Sequence, residues 1–153
     1  MIRDIIIIGA GPAGLTAGIY TRSRKMSTLI LDAASAGGQL ISLYPDKGIH
    51  NYPGFAEIQA KKLSERLMAH AESMGCEIVE SFRVMRIEQG EECFIVKGED
   101  EEYRSRSVIV AIGMGLFKPR KLGVPGEESL HGKGVDYVLP EKDRLVDKRV
   151  VMI

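Results

Sequence analysis

The sequence predicts an α/β fold, a parallel sheet with helices packed on it, on three observations. Ile5 to Ile8 and Val108 to Ala111 are continuous apolar runs without polar alternation, as in strands buried on both faces. The first run passes at once into Gly9, Gly11 and Gly14 in GxGxxG spacing, and then into a helical pattern. "STLILD" supplies a second apolar strand that ends at Asp32, eighteen residues beyond Gly14.

Strand, glycines, helix, strand and terminal acid form the first unit of a Rossmann-like dinucleotide-binding domain, and each residue has a physical job there. Gly9 allows the tight turn, Gly11 lets a pyrophosphate approach the backbone, and Gly14 lets the helix pack close to the strand. Gly18 extends that small face by one turn. The free amides and dipole of the helix start favour an anion. Asp32 stands where a carboxylate accepts hydrogen bonds from a ribose. NAD and FAD domains share this unit, so the unit alone does not choose between them.

Further along, "AASAGGQLISLYPDKGIHNYPGF" reads as a long irregular segment, too apolar for disorder and suited to wrapping a ligand. "AEIQAKKLSERLMAHAESMG" predicts an amphipathic helix with Leu63, Leu67, Ala71 and Met74 on one face and Gly75 as its stop. "CEIVES" is a short strand. "FRVMRIEQGEECFIVKGEDEEYRSRS" predicts a three-stranded β-meander with turns near Gln89-Gly90 and Gly98-Glu99, feeding the Val108–Ala111 strand. Arg83, Arg86, Arg104 and Arg106 read as cross-strand partners. From Met114 the chain turns rich in glycine and proline, an interdomain connection in character. Residues 1–117 are thus expected to form one domain. Residues 118–153 are expected to form a linker and the first part of a second dinucleotide-binding domain, with "KRVVMI" as its opening strand.

Composition sets bounds. Of 153 residues, 44% are hydrophobic and 27% charged, and 21 basic residues balance 21 acidic ones. That gives no electrostatic case for nucleic acid or an anionic membrane. No apolar run approaches the roughly 20 residues of a membrane span, and the opening run is too short for a signal peptide. The expected location is the cytoplasm. Cys76 and Cys93 form no CxxC or metal-ligand spacing, and His50, His70 and His131 are scattered, so no metal site is expected.

Three segments together, "IIIIGAGPAGLTAGIY", "GGQLISLYPDKGIHNYPGF" and "VIVAIGMGLFKPRKLGVPGEE", resemble the FAD-binding half of thioredoxin-reductase-like flavoproteins. "LYPDK" and "GLFKPRKL" resemble the ferredoxin–NADP reductases of that family, whereas "HNYPGF" is closer to the thioredoxin reductases. The latter carry a redox-active CxxC, and Val138 and Glu141 stand at the corresponding positions here. Without two thiols no disulfide relays electrons from the flavin.

The resemblance implies an FAD-dependent NAD(P)H oxidoreductase, with NADPH or NADH as substrate and ferredoxin or a similar small electron acceptor as partner. It also implies a homodimer, and a chain that is the N-terminal portion of a longer enzyme. Thioredoxin reductase, or a non-catalytic FAD- or NAD-binding module, are the alternatives. Carried over by matched position, Gly9, Gly11, Pro12, Ala13 and Gly14 line the pyrophosphate, and Asp32 the adenosine ribose. Gly38, Gln39 and Leu40 approach the ribityl chain and flavin, Tyr44 stacks on the flavin, and Asn51 bonds its edge. The backbone of Val84 meets adenine, and Ala111 and Gly113 pass near the cofactor. No acid–base residue is implied, because the flavin does the chemistry.

Overall fold

The computed structural model describes residues 1–116, 119–138 and 142–153. It divides into two compact units, Met1–Leu116 and Phe117–Ile153. The boundary expected at 117/118, Lys118 of the basic run, and Glu141 all lie outside the described residues.

The first unit runs β1 (Ile2–Ile8), α1 (Pro12–Ser23), β2 (Thr28–Leu31), α2 (Gln39–Ser42), β3 (Gly48–Ile49) and β4 (Ile58–Gln59). It continues with α3 (Ala60–Ser73), β5 (Glu77–Val79), β6 (Arg86–Gln89), β7 (Phe94–Lys97) and β8 (Glu102–Val110). Six strands form one sheet in the order β5-β2-β1-β8-β7-β6. The first four are parallel and the last three form an antiparallel meander. The α/β class with a mainly parallel sheet is therefore the observed one.

The unbroken apolar run of β1 follows from its central place. Ile5 and Ile7 pack with Leu15, Ile30, Ala71 and Cys76 on the face that bears α1 and α3. Ile6 and Ile8 point the other way, to Leu29, Leu31, Phe82 and Val96. A strand covered on both sides has no polar side to show, and burying each such side chain contributes about 1.5–3 kcal/mol. Phe82 and Tyr103 close the second face edge to face, with ring centroids 5.1 Å apart.

Both long helices end in the same paired hydrogen-bond pattern. After α1, Lys25 N donates to Arg22 O and Met26 N to Thr21 O; after α3, Gly75 N donates to Glu72 O and Cys76 N to Ala71 O. The pivotal residue lies at φ +78° in Gly75 but at φ +61° in Lys25, where a side chain is strained. Arg22 joins the two ends, donating from Nε to Met74 O (3.1 Å) and from Nη1 to Met26 O (3.0 Å). Replacing Lys25 with Gly relieves the left-handed strain and adds unfolded-chain entropy. The expected net gain is about 0.5–1 kcal/mol, or roughly 2–4 °C in a thermal melt. An unchanged or lower melting temperature would contradict it.

Several expectations need correction. The third meander strand and the Val108–Ala111 strand are one continuous strand, β8, which pairs with β7 over Glu102–Ser105 and with β1 through Val110. It is not uniformly buried: Val110 is 59% exposed, because the meander covers Val108 on that face and stops short of Val110. The long segment after Asp32 contains the one-turn α2 and the β3–β4 pair rather than irregular chain throughout. Cys93 lies in the turn before β7. Of the four arginines expected as cross-strand partners, Arg106 pairs across strands, with Asp4 at 3.5 Å, whereas Arg86 and Arg104 pair with Glu88 and Glu102 of their own strands. Among the described residues no salt bridge includes Arg83.

The second unit is built of turns, an isolated bridge between His131 and Val135, and a 3₁₀ turn at Lys142–Leu145. "KRVVMI" is not in a strand, and Val150 to Ile153 are exposed. Among the described residues it takes part in no strand pairing. Glu127 organises this unit. Only 6% exposed, it accepts hydrogen bonds from Leu122 N (2.9 Å), Gly123 N (2.6 Å) and the Tyr137 hydroxyl (2.8 Å). The Leu122 amide foremost holds its carboxyl below the ordinary range, against the opposing effect of burial. A depressed carboxyl contributes stability above its unfolded value and loses it as pH falls through the folded value. The Leu122 and Gly123 amide resonances are therefore expected to shift on acidification with a midpoint below that of an exposed glutamate. A midpoint at or above the ordinary glutamate value would contradict this.

Candidate dinucleotide-binding edge

The carboxyl ends of the parallel strands deliver one residue group each to the same edge of the sheet. Chain leaving β1 enters Gly9–Gly11, β2 leads to Asp32, β5 to Glu80, and β8 to Ala111. The chain passes from β1 to β2 on one side, while β8 lies on the other. That reversal is the place where open α/β sheets bind ligands.

The glycines divide into two kinds. Gly9 sits at φ +104°, and a Cβ there would stand 2.4 Å from Ala111 O. At Gly14 a Cβ would stand 1.8 Å from Gly9 O, and at Gly18 it would stand 2.7 Å from Ile30 Cδ1 and 3.1 Å from Cys76 Sγ. These three are packing glycines that let α1 lie on β1 and β2. Gly11 is different. It caps α1 with an extended backbone, φ −73°, and a Cβ there would meet only Gly38 Cα, at 4.0 Å. The space beside Gly11 is open.

Pro12 occupies the first helical turn, where its missing N–H costs nothing. No side chain caps α1. Leu15 N is the first amide bonded back, to Gly11 O. Among the described residues, the amides of Gly11, Ala13 and Gly14 have no hydrogen-bond acceptor, so the helix start presents unsatisfied donors to the open space.

Asp32 is joined to this loop. Its Oδ2 accepts from Ala10 N at 2.6 Å and its Oδ1 from Ala34 N at 2.9 Å. Sequence reasoning assigned Asp32 only to a ribose and missed this bracing of two loops. A carboxylate still retains lone pairs for further donors. Gly37 N donates to Ala10 O at 2.8 Å. Gly38, at φ +61°, caps α2 so close to Gly11 that a Cβ would stand 2.9 Å from Gly11 Cα. Gln39 and Leu40 open α2, both half-buried.

Gly9, Gly11, Gly14, Asp32, Gly38 and Ala111 are thus gathered at one edge. Pro12 joins them, its Cδ 3.9 Å from where a Cβ on Gly38 would stand. Tyr44 is 51% exposed just after α2, with the Lys47 ammonium 5.4 Å from its ring centroid. Asn51 is exposed between β3 and β4. Val84 is half-buried against the Phe82–Val96 cluster. Ala111 N donates to Ile8 O at 2.7 Å, while a Cβ on Gly113 (φ +56°) would meet nothing within 4 Å. Burial pushes the Cys76 thiol up, and both cysteines are free. Among the described residues no cluster of three or more His, Cys, Asp or Glu suits a metal ion, and no helix is long and apolar enough to cross a membrane.

Comparison with known proteins decides the family. Residues 3–153 match the family model for pyridine nucleotide-disulphide oxidoreductases. The chain belongs to the pyridine nucleotide-disulphide oxidoreductase family. Within that family it is 40% identical over 136 residues to a thioredoxin reductase of Bacillus subtilis, covering 89% of this chain and 41% of that protein. It is 36% identical over 152 residues to a ferredoxin–NADP reductase of Thermus thermophilus, covering 98% of this chain and 45% of that one. A thioredoxin reductase structure from T. acidophilum superimposes with a TM-score of 0.71 at 32% identity, over 86% of this chain and 41% of that one. This oxidoreductase-family chain therefore spans less than half the length of the relatives it matches.

An FAD pyrophosphate suits the residues present: open space beside Gly11 that a larger side chain would enter, bordered by unbonded helix-start amides. If bound there, FAD would be held by Gly9 to Gly14, Asp32 and Gly38.

Proposed function

We propose that this chain is the FAD-binding part of an NAD(P)H-dependent flavin oxidoreductase that passes electrons to ferredoxin or a similar small acceptor. The observation that supports it most is the open space beside Gly11 at the uncapped start of α1. When bound, FAD accepts a hydride equivalent from a nicotinamide and hands electrons on. The chain's part is to bind and orient it: amides toward the pyrophosphate, Asp32 toward the ribose, and α2 toward the flavin end. Homodimerisation and a cytoplasmic location accompany this reading.

Thioredoxin reductase is the second reading, favoured by the 40% identity to a protein of that name. Against it stand Val138 and Glu141, at the positions where the resemblance puts the redox-active CxxC. Cys76 is buried against α1 and Cys93 lies in a surface turn, so they form no relay beside a flavin.

The residues present hold one GxGxxG unit, and the glycines of the second unit lie in turns without a following α-helix among the described residues. The 153-residue chain loaded with FAD is thus expected to bleach within seconds of anaerobic dithionite addition. Excess NADPH or NADH should act only as slowly as on free FAD. Rapid bleaching by either nucleotide would overturn the assignment of this chain to the flavin half.

A further inference from the structure

We propose that Glu80 is a positioning residue for the dinucleotide: its carboxylate grips Ala36 and so sets the Gly37–Gly38 turn against Gly11. The inference rests on the FAD reading above and extends it to a residue outside the glycine motif.

Glu80 follows β5 and stands forty-four positions from Ala36, yet its Oε1 accepts from Ala36 N at 2.7 Å. The next two residues grip the same segment with their backbone. Ser81 N donates to Ala34 O at 2.9 Å, and Phe82 N to Asp32 O at 2.8 Å. Residues 80 to 82 thus hold Ala36, Ala34 and Asp32 in turn, with Ser81 in the left-handed region at φ +56° where the chain turns. The outermost hold is made by the Glu80 side chain alone.

Beyond Ala36 the chain has little slack. Ala36 itself is 3% exposed. Gly37 is bonded to Ala10 and lies against α3, where a Cβ would stand 2.4 Å from Ser64 Oγ. Gly38 then meets Gly11 at the distance given above. A shift at Ala36 therefore passes through one residue to Gly38 and α2, the part proposed to face the ribityl and flavin end, which ADP lacks. Removing the Glu80 acceptor leaves a buried N–H without a partner, a state that a structure relieves by moving. The ribose side is held separately, by the Asp32–Ala10 bond. Loss of Glu80 should therefore disturb FAD more than ADP.

Two variants separate position from charge. Glu80→Ala removes acceptor and charge together, whereas Glu80→Gln removes the charge and keeps a carbonyl oxygen for Ala36 N–H. If only charge mattered, both would tighten binding of an anion.

The test uses the 153-residue chain. Amide exchange over residues 33–40 is measured without ligand, and FAD and ADP are titrated by flavin fluorescence and calorimetry. In Glu80→Ala, Ala36 to Gly38 should exchange about tenfold faster or more. Its FAD dissociation constant should rise about tenfold, while that for ADP moves by less than about threefold. Glu80→Gln should stay near wild type in all three. Unchanged exchange in Glu80→Ala, equal loss of FAD and ADP, or a Glu80→Gln variant as weak as Glu80→Ala would each overturn the proposal. A wild-type chain that binds neither ligand would count against the FAD reading and the positioning role with it. The exchange arm would still show whether Glu80 holds Ala36.

Discussion

Gly11→Val is expected to leave the chain folded and to abolish retention of FAD. The backbone at Gly11 is extended, φ −73°, a conformation valine adopts readily, and a Cβ there meets only Gly38 Cα at 4.0 Å. The added methyl groups occupy the open space beside Gly11 where the pyrophosphate would lie, and they screen the amides of Ala13 and Gly14. A ligand displaced by even about 1 Å from such donors loses most of their charge-assisted bonds, each worth about 1.5–3 kcal/mol. Losing two puts the expected weakening at roughly a hundredfold or more. Flavin content after purification and a thermal melt together check it. A folded variant with wild-type flavin content would remove Gly11 from the binding site.

Gly14→Ala should do the opposite, damaging the fold first. Its Cβ would stand 1.8 Å from Gly9 O, a backbone atom that no rotamer change can move, and 3.4 Å from Ile7 Cγ2. Relief requires α1 to lift from β1, opening the cluster of Ile5, Ile7, Leu15 and Ile30. Overpacking of a tight core costs about 1–3 kcal/mol and more where backbone must move. A fall in melting temperature of roughly 4–12 °C is expected for a chain of this size. A Gly14→Ala melt within 1 °C of wild type, an interval set by ordinary scatter of about that size, would show that α1 is free to adjust. The contrast between these two substitutions separates the glycine that binds from the glycine that packs.

The first thirty-two residues were legible because everything they do is local. The run Ile5–Ile8, the glycine spacing and the terminal Asp32 each state a requirement within one strand–turn–helix unit. The α3 helix was legible for the same reason, with its apolar period closed by Gly75. What followed Asp32 was not. A four-residue α2 and the two-residue strands β3 and β4 are shorter than any period that could announce them, and they exist through contacts with α3 and with each other. The continuity of β8 was hidden because Tyr103, Ser105 and Ser107 read as the end of a meander. Tyr103 does pair with β7, but Ser105 and Ser107 carry the same strand onward beside β1.

The candidate site divides in the same way. Gly9, Gly11 and Gly14 were read with their separate reasons. By contrast, the bracing of Ala10 and Ala34 by Asp32 depends on a side chain folding back across a turn. The reach of Glu80 to Ala36 joins positions with no sequence relation. Tyr44, Asn51 and Val84 rest on a family resemblance rather than on a local requirement. The missing strand at "KRVVMI" has the simplest reason: an apolar run becomes a parallel strand only beside a neighbour that completes its ladder.

The most direct test of the account is a titration of the ¹⁵N-labelled chain with FAD, followed by its amide resonances. Saturable shifts are expected at Gly9, Gly11, Ala13, Gly14, Asp32 and Gly38, with the meander tip at Gly98 to Glu101 unmoved. Shifts absent from the glycine loop at saturating FAD, or concentrated at the meander tip, would contradict it.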